Sequence, residues 1–281
     1  MKLLRYGPKG QEKPGLLDGE GKIRDLSGVV ADIDGALLAS GLGALKALDI
    51  ASLPVVADGV RLAEPVARVG KFICIGLNYS DHAQEAGMPI PAEPIIFSKA
   101  TSSIIGPNDD VHLPPRSVKS DWEVELGVVI GKEARYVPLD RAMDHVAGLC
   151  VVNDLSEREF QLERGGTWDK GKGCDTFGPF GPYLVTLDEA GPLDNLGLWL
   201  DVNGKRMQTG NTASLIFDVP YLIHYVSQFM SLQPGDIIST GTPPGVGMGM
   251  KPPVFLNEGD VITLGIDGLG EQRQRVYRAK A

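Results

Sequence analysis

The sequence predicts a mixed α+β, β-rich fold in which short strands dominate and helices are inserted singly. Three observations predict it. Gly 36 and Pro 20 make up a fifth of the 281 residues without a Gly-X-Y period, which means many tight turns. From Lys71 onward, short apolar runs alternate with Gly, Pro, Asn and Asp punctuation. Helical patterns do not follow every strand, which argues against a regular βαβ winding.

Lys2 to Tyr6 reads as a first strand, closed by the turn-like Gly7-Pro8-Lys9-Gly10. Gln11 to Leu17 follows before a second turn, Asp18-Gly19-Glu20-Gly21, so the start is hairpin-like. The Ala- and Leu-rich stretch from Ile33 to Leu48 predicts one or two helices, and Pro-punctuated Leu53 to Pro65 a connector. Residues 1–70 are therefore expected to form a small N-terminal domain and 71–281 the main one. In the latter, Lys71 to Gly76 and Pro94 to Lys99 read as strands around a short helix, Asp81 to Ala86. Trp122 to Ile130 is strand-like and stops at Gly131, and apolar Val146 to Val152 runs into a polar helix, Leu155 to Arg164. Leu196 to Val202 is a strand closed by Asn203-Gly204, a hairpin signal. Asn211 to Met230 holds a helix, and Gly259 to Ile266 with Gln272 to Arg278 make a terminal hairpin.

Composition narrows the function classes. An apolar content of 43% rules out general disorder. A net charge of −9 with no long basic run argues against nucleic acid as a partner. Apolar stretches such as Leu126 to Ile130 fall far below the ~18 residues of a membrane span, so no membrane association is expected. The start Met1-Lys2-Leu3-Leu4-Arg5 turns polar at once, unlike a signal peptide. Cys74, Cys150 and Cys174 form no CxxC pair, which predicts free thiols in a reducing, cytoplasmic setting.

Five segments carry chemistry. In Asp121-Trp122-Glu123-Val124-Glu125-Leu126-Gly127, alternate side chains of a strand share a face, so Glu123 and Glu125 point together. Two carboxylates aimed into a fold need a cation, and their oxygens suit a hard divalent ion such as Mg²⁺ or Mn²⁺. An exposed acidic edge is the alternative. In the second segment, Asn153 to Gln161, Asp154 sits where a strand gives way to a helix and suits a cap. Asp154, Arg158 and Gln161 also fall at i, i+4, i+7, one helical face able to bind a metal and an anionic substrate together.

The third segment, Asn78-Tyr79-Ser80-Asp81-His82-Ala83-Gln84-Glu85, places His82 and Glu85 at i, i+3. A carboxylate that orients an imidazole makes a water-activating dyad; a surface ion pair is the other reading. The fourth, Lys170-Gly171-Lys172-Gly173, flanks lysines with glycines that let backbone approach a ligand, unless it is a solvated loop. In the fifth, Thr240-Gly241-Thr242-Pro243, a strand ends in a turn able to offer a hydroxyl and N–H groups to a carboxylate. Gly245-x-Gly247-x-Gly249 is no dinucleotide loop, because Lys251-Pro252-Pro253 forbids a helix there. No HExxH or GxSxG motif occurs.

Taken in order, these five segments resemble the fumarylacetoacetate hydrolase family over about residues 70 to 281. The matching pattern is Asn78-Tyr79-x2-His82-x2-Glu85, Glu123-x-Glu125, Asn153-Asp154 with Arg158 and Gln161, Lys172-Gly173-x-Asp175-Thr176, and Thr240-Gly241-Thr242-Pro243. The resemblance implies a β-sandwich roll, a homodimer and a divalent metal, Mg²⁺ with Mn²⁺ or Ca²⁺ as alternatives, on Glu123, Glu125 and Asp154. It resembles the smaller acylpyruvase-like branch, in which the His–Glu pair rides on a short lid helix. Met1 to Leu26 also resembles 2,4-diketo-3-deoxy-sugar-acid hydrolases and proteins described as ureidoglycolate lyases.

These expectations combine into one reaction: cleavage of the C3–C4 bond of a 2,4-dioxo acid, such as a diketo-deoxy sugar acid, to pyruvate and a small carboxylic acid. His82, Glu85 and Lys172 are the expected catalytic residues, and Tyr79, Arg158, Gln161 and Thr242 the expected substrate-binding ones. Oxaloacetate decarboxylation or tautomerisation follows the same metal-enolate logic, and a ureidoglycolate lyase is a further alternative. A purely binding role is disfavoured because every matched polar residue is present.

Overall fold

The computed structural model describes residues 1–85, 87 and 89–280. Two sheets pack face to face. The larger has eleven strands, and its main path runs 23–25, 13–17, 2–6, 178–185, 146–153, 124–130, 237–239, 72–76, 95–99. The smaller has five strands, in the order 205–211, 197–202, 261–266, 270–278, 111–113. This is the β-rich α+β fold that the strand and turn signals predict, built as the sandwich that the family resemblance implies.

The central strands of the large sheet are apolar on both faces, which is why they read as continuous apolar runs rather than alternating ones. Leu126 and Val128 join Leu149 and Val151 against Leu198, Leu200, Ile262 and Leu264 of the second sheet. One residue along, Val129, Cys150 and Val152 turn to the opposite face. The period of two thus divides one strand between two cores.

That second core spans the expected division at residue 70. Leu3, Leu16, Leu26, Ile33, Leu38 and Leu45 share it with Phe72, Cys74, Phe180 and Ile237. Strand Lys2–Tyr6 pairs antiparallel with Gly178–Val185, so the N-terminal hairpin extends the main sheet. A 70-residue piece has little apolar surface to bury alone, and here it covers a sheet face that would otherwise be open.

Most predicted elements are present within a few residues. Two differ in instructive ways. Strand Gly178–Val185 is absent from the sequence reading because Gly178, Pro179, Gly181 and Pro182 break its pattern. The polar helix after Val152 is shorter than expected, Arg158–Leu162, and its N-cap is Glu157 rather than Asp154. Asp154 instead follows strand Val146–Asn153 directly, and Ser156–Glu157 pair with Ser120–Asp121. The helix bearing His82 spans Ser80–Glu85; the predicted final residue, Ala86, lies outside the described residues. Among the described residues, no helix is long and apolar enough to cross a membrane. All three cysteines are free thiols, with Cys74 and Cys150 buried.

Candidate active site

Strand register gathers the site. Residues directly opposite in a ladder share a face, as do alternate residues in one strand. Glu125 lies opposite Val152, Gly127 opposite Ser239, Ser239 opposite Cys74, Cys74 opposite Phe97 and Phe72 opposite Lys99. Glu125, Ser239, Phe97 and Lys99 therefore fall on one face. Glu123 and Asp154 continue that face at the strand ends, where Asp154 N–H donates to the Glu123 carbonyl at 2.9 Å.

Glu123, Glu125 and Asp154 are all buried, and one carboxylate oxygen of each lies within 4.8 Å of the others. Arg158 Nη2 donates to Glu123 Oε1 at 2.6 Å, and Lys172 Nζ to Glu123 Oε2 at 2.6 Å and Asp154 Oδ2 at 2.7 Å. Lys99 Nζ holds the other Asp154 oxygen at 2.6 Å. Among the described residues, Glu125 has only neutral donors, the Ser239 hydroxyl at 2.6 Å and Gly241 N–H at 2.9 Å. Burial pushes the Glu123 carboxyl up, but Lys172 and Arg158 outweigh it and hold it at about 2. Burial, then the charges of Asp154 and Glu123, push the Glu125 carboxyl well above the carboxylate range.

The donor set fits a divalent cation. It consists of hard oxygens, is buried, and leaves one carboxylate without a charged partner, which a cation would supply.

Arg158 and Gln161 come together as their spacing implies. Arg158 donates from Nη1 to Gln161 Oε1 at 3.2 Å and from Nε to Asp121 Oδ2 at 2.9 Å. Burial opposes the guanidinium charge, yet Glu123 and Asp121 hold it above the ordinary arginine value. With these partners, only part of the five-donor fork is left for a substrate. Asp121 is a residue the sequence reading missed. It also accepts from Gly247 and Met248 N–H at 2.7 and 3.0 Å, tying Arg158 to the 247–248 turn. Its place beside Glu123 in an acidic run was its only signal. Lys99 was missed too, because a lysine ending an apolar strand reads as solvent-exposed.

Lys172 is buried at the end of helix Asp169–Lys172. Its glycine neighbour serves packing rather than ligand approach: a Cβ on Gly171 would sit 2.4 Å from the Glu157 carbonyl oxygen and 2.6 Å from Gln161 Cβ. Burial disfavours the ammonium, but Asp154 and Glu123 hold it above the ordinary lysine value.

His82 Nδ1 lies 3.2 Å from Glu85 Oε2, so the dyad forms. It lines the same cavity of about 570 Å³ as Glu123, Glu125, Arg158, Gln161, Lys172 and Thr242. Thr242 reaches the cavity with its hydroxyl already engaged, donating to the Val124 carbonyl at 3.0 Å and accepting from Gln208 at 2.8 Å. Tyr79 does not line it. Its ring is fully buried in the core between the sheets, and among the described residues its hydroxyl has no partner. Burial pushes its phenol up.

The family model described as fumarylacetoacetate hydrolase C-terminal matches residues 71–277. A Burkholderia multivorans protein is 62% identical over 282 residues, covering 100% of both chains. The chain belongs to the fumarylacetoacetate hydrolase family. Among solved members, a fumarylacetoacetate hydrolase from psychrophilic Exiguobacterium antarcticum superposes with TM-score 0.89 at 34% identity, over 99% of this chain and 100% of that one. Maleylpyruvate hydrolase from Sphingobium sp. SYK-6, solved with manganese(II) and pyruvate, superposes with TM-score 0.82 at 32% identity over 100% of both. This member of the fumarylacetoacetate hydrolase family is thus similar over its whole length to structures of enzymes, residues 1–70 included.

Proposed function

We propose that the chain is a divalent-metal-dependent hydrolase of the acylpyruvate type, cleaving C3–C4 of a 2,4-dioxo acid to pyruvate and a carboxylic acid. The observation that carries this reading is one cavity lined by a His–Glu dyad, a buried lysine and two carboxylates, Glu123 and Glu125, of a buried three-carboxylate cluster. The similarity to a maleylpyruvate hydrolase solved with manganese(II) and pyruvate supports it.

Glu123, Glu125 and Asp154 would hold the cation, which when bound polarises the oxygens of the substrate. Glu85 accepts from His82 Nδ1, which leaves Nε2 unprotonated and able to take a proton from water. The hydroxide so formed adds to the C4 carbonyl, and the C3–C4 bond breaks with its electron pair going to C3. The resulting pyruvate enolate develops charge beside the ammonium of Lys172. The imidazolium of His82 returns its proton to C3, giving pyruvate, and the other product leaves as the carboxylic acid. Arg158 and Gln161 orient the substrate through donors not used within the protein.

Incubation of the Mg²⁺- and Mn²⁺-loaded protein with an acylpyruvate and with oxaloacetate tests the reading. Pyruvate and acid in equal amounts are expected from the first. Carbon dioxide from oxaloacetate with no cleavage of the acylpyruvate would move the reading to a decarboxylase. Full hydrolysis in excess chelator would remove the metal from it.

A further inference from the structure

The cavity lining has two characters. One part is the charged cluster with the His82–Glu85 pair. The other is an apolar wall of Phe97, Leu162, Trp168, Val246, Met248 and Met250. Among the described residues these six side chains carry one N–H or O–H group, the Trp168 indole N–H; the His82, Glu85 and Gln161 side chains line the same cavity beside them. The wall is also shaped: the Phe97 and Trp168 rings meet edge-on with centroids 5.1 Å apart. Trp168 packs so closely on Gly76 that a Cβ there would sit 2.6 Å from the indole ring.

We propose that this wall is the tail subsite and that it selects 2,4-dioxo acids whose C4 substituent is an unhydroxylated alkyl or aryl group, with Trp168 as the specificity-determining residue. The proposal rests on the hydrolase reading above and deepens it. It departs from the deoxy sugar acid expected from the N-terminal resemblance. A polyhydroxylated tail against these six side chains would lose hydration and find among them only the Trp168 N–H donor. A hydrocarbon tail gains about fourfold in affinity for each methylene it buries.

The test is a kcat/KM series on the metal-loaded full chain with methyl, propyl and phenyl tails and a 2,4-diketo-3-deoxy sugar acid. The propyl compound is expected to exceed the methyl one by about fifteenfold and the sugar acid by tenfold or more. In Trp168→Ala, and independently in Gly76→Ala, the propyl-to-methyl ratio is expected to fall below about fourfold. A sugar acid that matches the propyl compound, or a ratio unchanged in both variants, overturns the subsite and leaves the hydrolase reading intact. Pyruvate released from none of the compounds overturns the hydrolase reading instead. The subsite is then decided by calorimetry with simple 2-oxo acids: affinity rising with tail length supports it, and flat affinity overturns it.

Discussion

Both carboxylate oxygens of Glu85 lie 3.2 Å from the backbone nitrogen of Gly245. The same side chain faces His82, so the candidate base is held by a turn 160 residues further along the chain. A Cβ on Gly249 would approach Glu85 Cδ to 3.2 Å, so that turn fits the dyad closely. The helix Ser80–Glu85 is too short to hold its own geometry in water, and this contact supplies the missing support.

His82→Ala is expected to lower kcat by about 10²–10⁴-fold while leaving Mn²⁺ affinity unchanged, because the imidazole is outside the carboxylate cluster. Steady-state kinetics paired with calorimetric Mn²⁺ titration checks both halves. Loss of metal affinity would make His82 a ligand rather than a base.

Glu125→Gln retains an acceptor for Ser239 and Gly241 but removes the one carboxylate that has no charged partner. The variant is expected to melt at or above the wild-type temperature in chelator, since a carboxyl buried beside Asp154 and Glu123 is costly whether it ionises or takes up a proton. It should also lose the Mn²⁺-dependent stabilisation expected of the wild type, about 2.7 kcal/mol at a hundredfold excess over Kd. A melting scan with and without Mn²⁺ reads both effects.

Gly127→Ala is expected to destabilise by about 1–3 kcal/mol, as overpacking does in a close-packed core. The new Cβ would lie 2.6 Å from Cys150 Sγ and 2.7 Å from Val152 Cγ2. Urea unfolding measures the change, and an unaltered midpoint would mean the strand Val146–Asn153 yields more readily than its burial suggests.

Glu12 accepts from Gly10 N–H at 3.0 Å and from Arg61 Nη1 at 3.2 Å, fastening the N-terminal hairpin to the connector. Burial pushes its carboxyl up, but the backbone N–H groups of Glu12 and Gly10 and the charges of Arg5 and Arg61 hold it below the ordinary 4.5. A carboxyl depressed in the fold stabilises above its unfolded pKa and loses that contribution as pH falls through the folded value. The Tm gap between wild type and Glu12→Gln should therefore be widest near neutral pH and close as pH falls below about 4.5. The corresponding stability difference is expected to stay under about 1 kcal/mol because the pair is partly solvated. A gap that widens on acidification would contradict the assignment.

The sequence by itself determined what is local. The strand Lys2–Tyr6, the hairpin at Asn203-Gly204 and the shared face of Glu123 and Glu125 all follow from turn chemistry and a period of two. The pairing of His82 with Glu85, and of Arg158 with Gln161, follows from helical spacing. The tertiary structure alone decided which strand edges meet. That choice brought Asp154 to Glu123, set Lys99 and Asp121 among them, closed Tyr79 away in the core, and joined the first 70 residues to the main sheet. It also lined the cavity wall with apolar side chains from segments far apart in the chain. Pairing of distant strands depends on summed burial over whole faces, a quantity no short window of sequence contains.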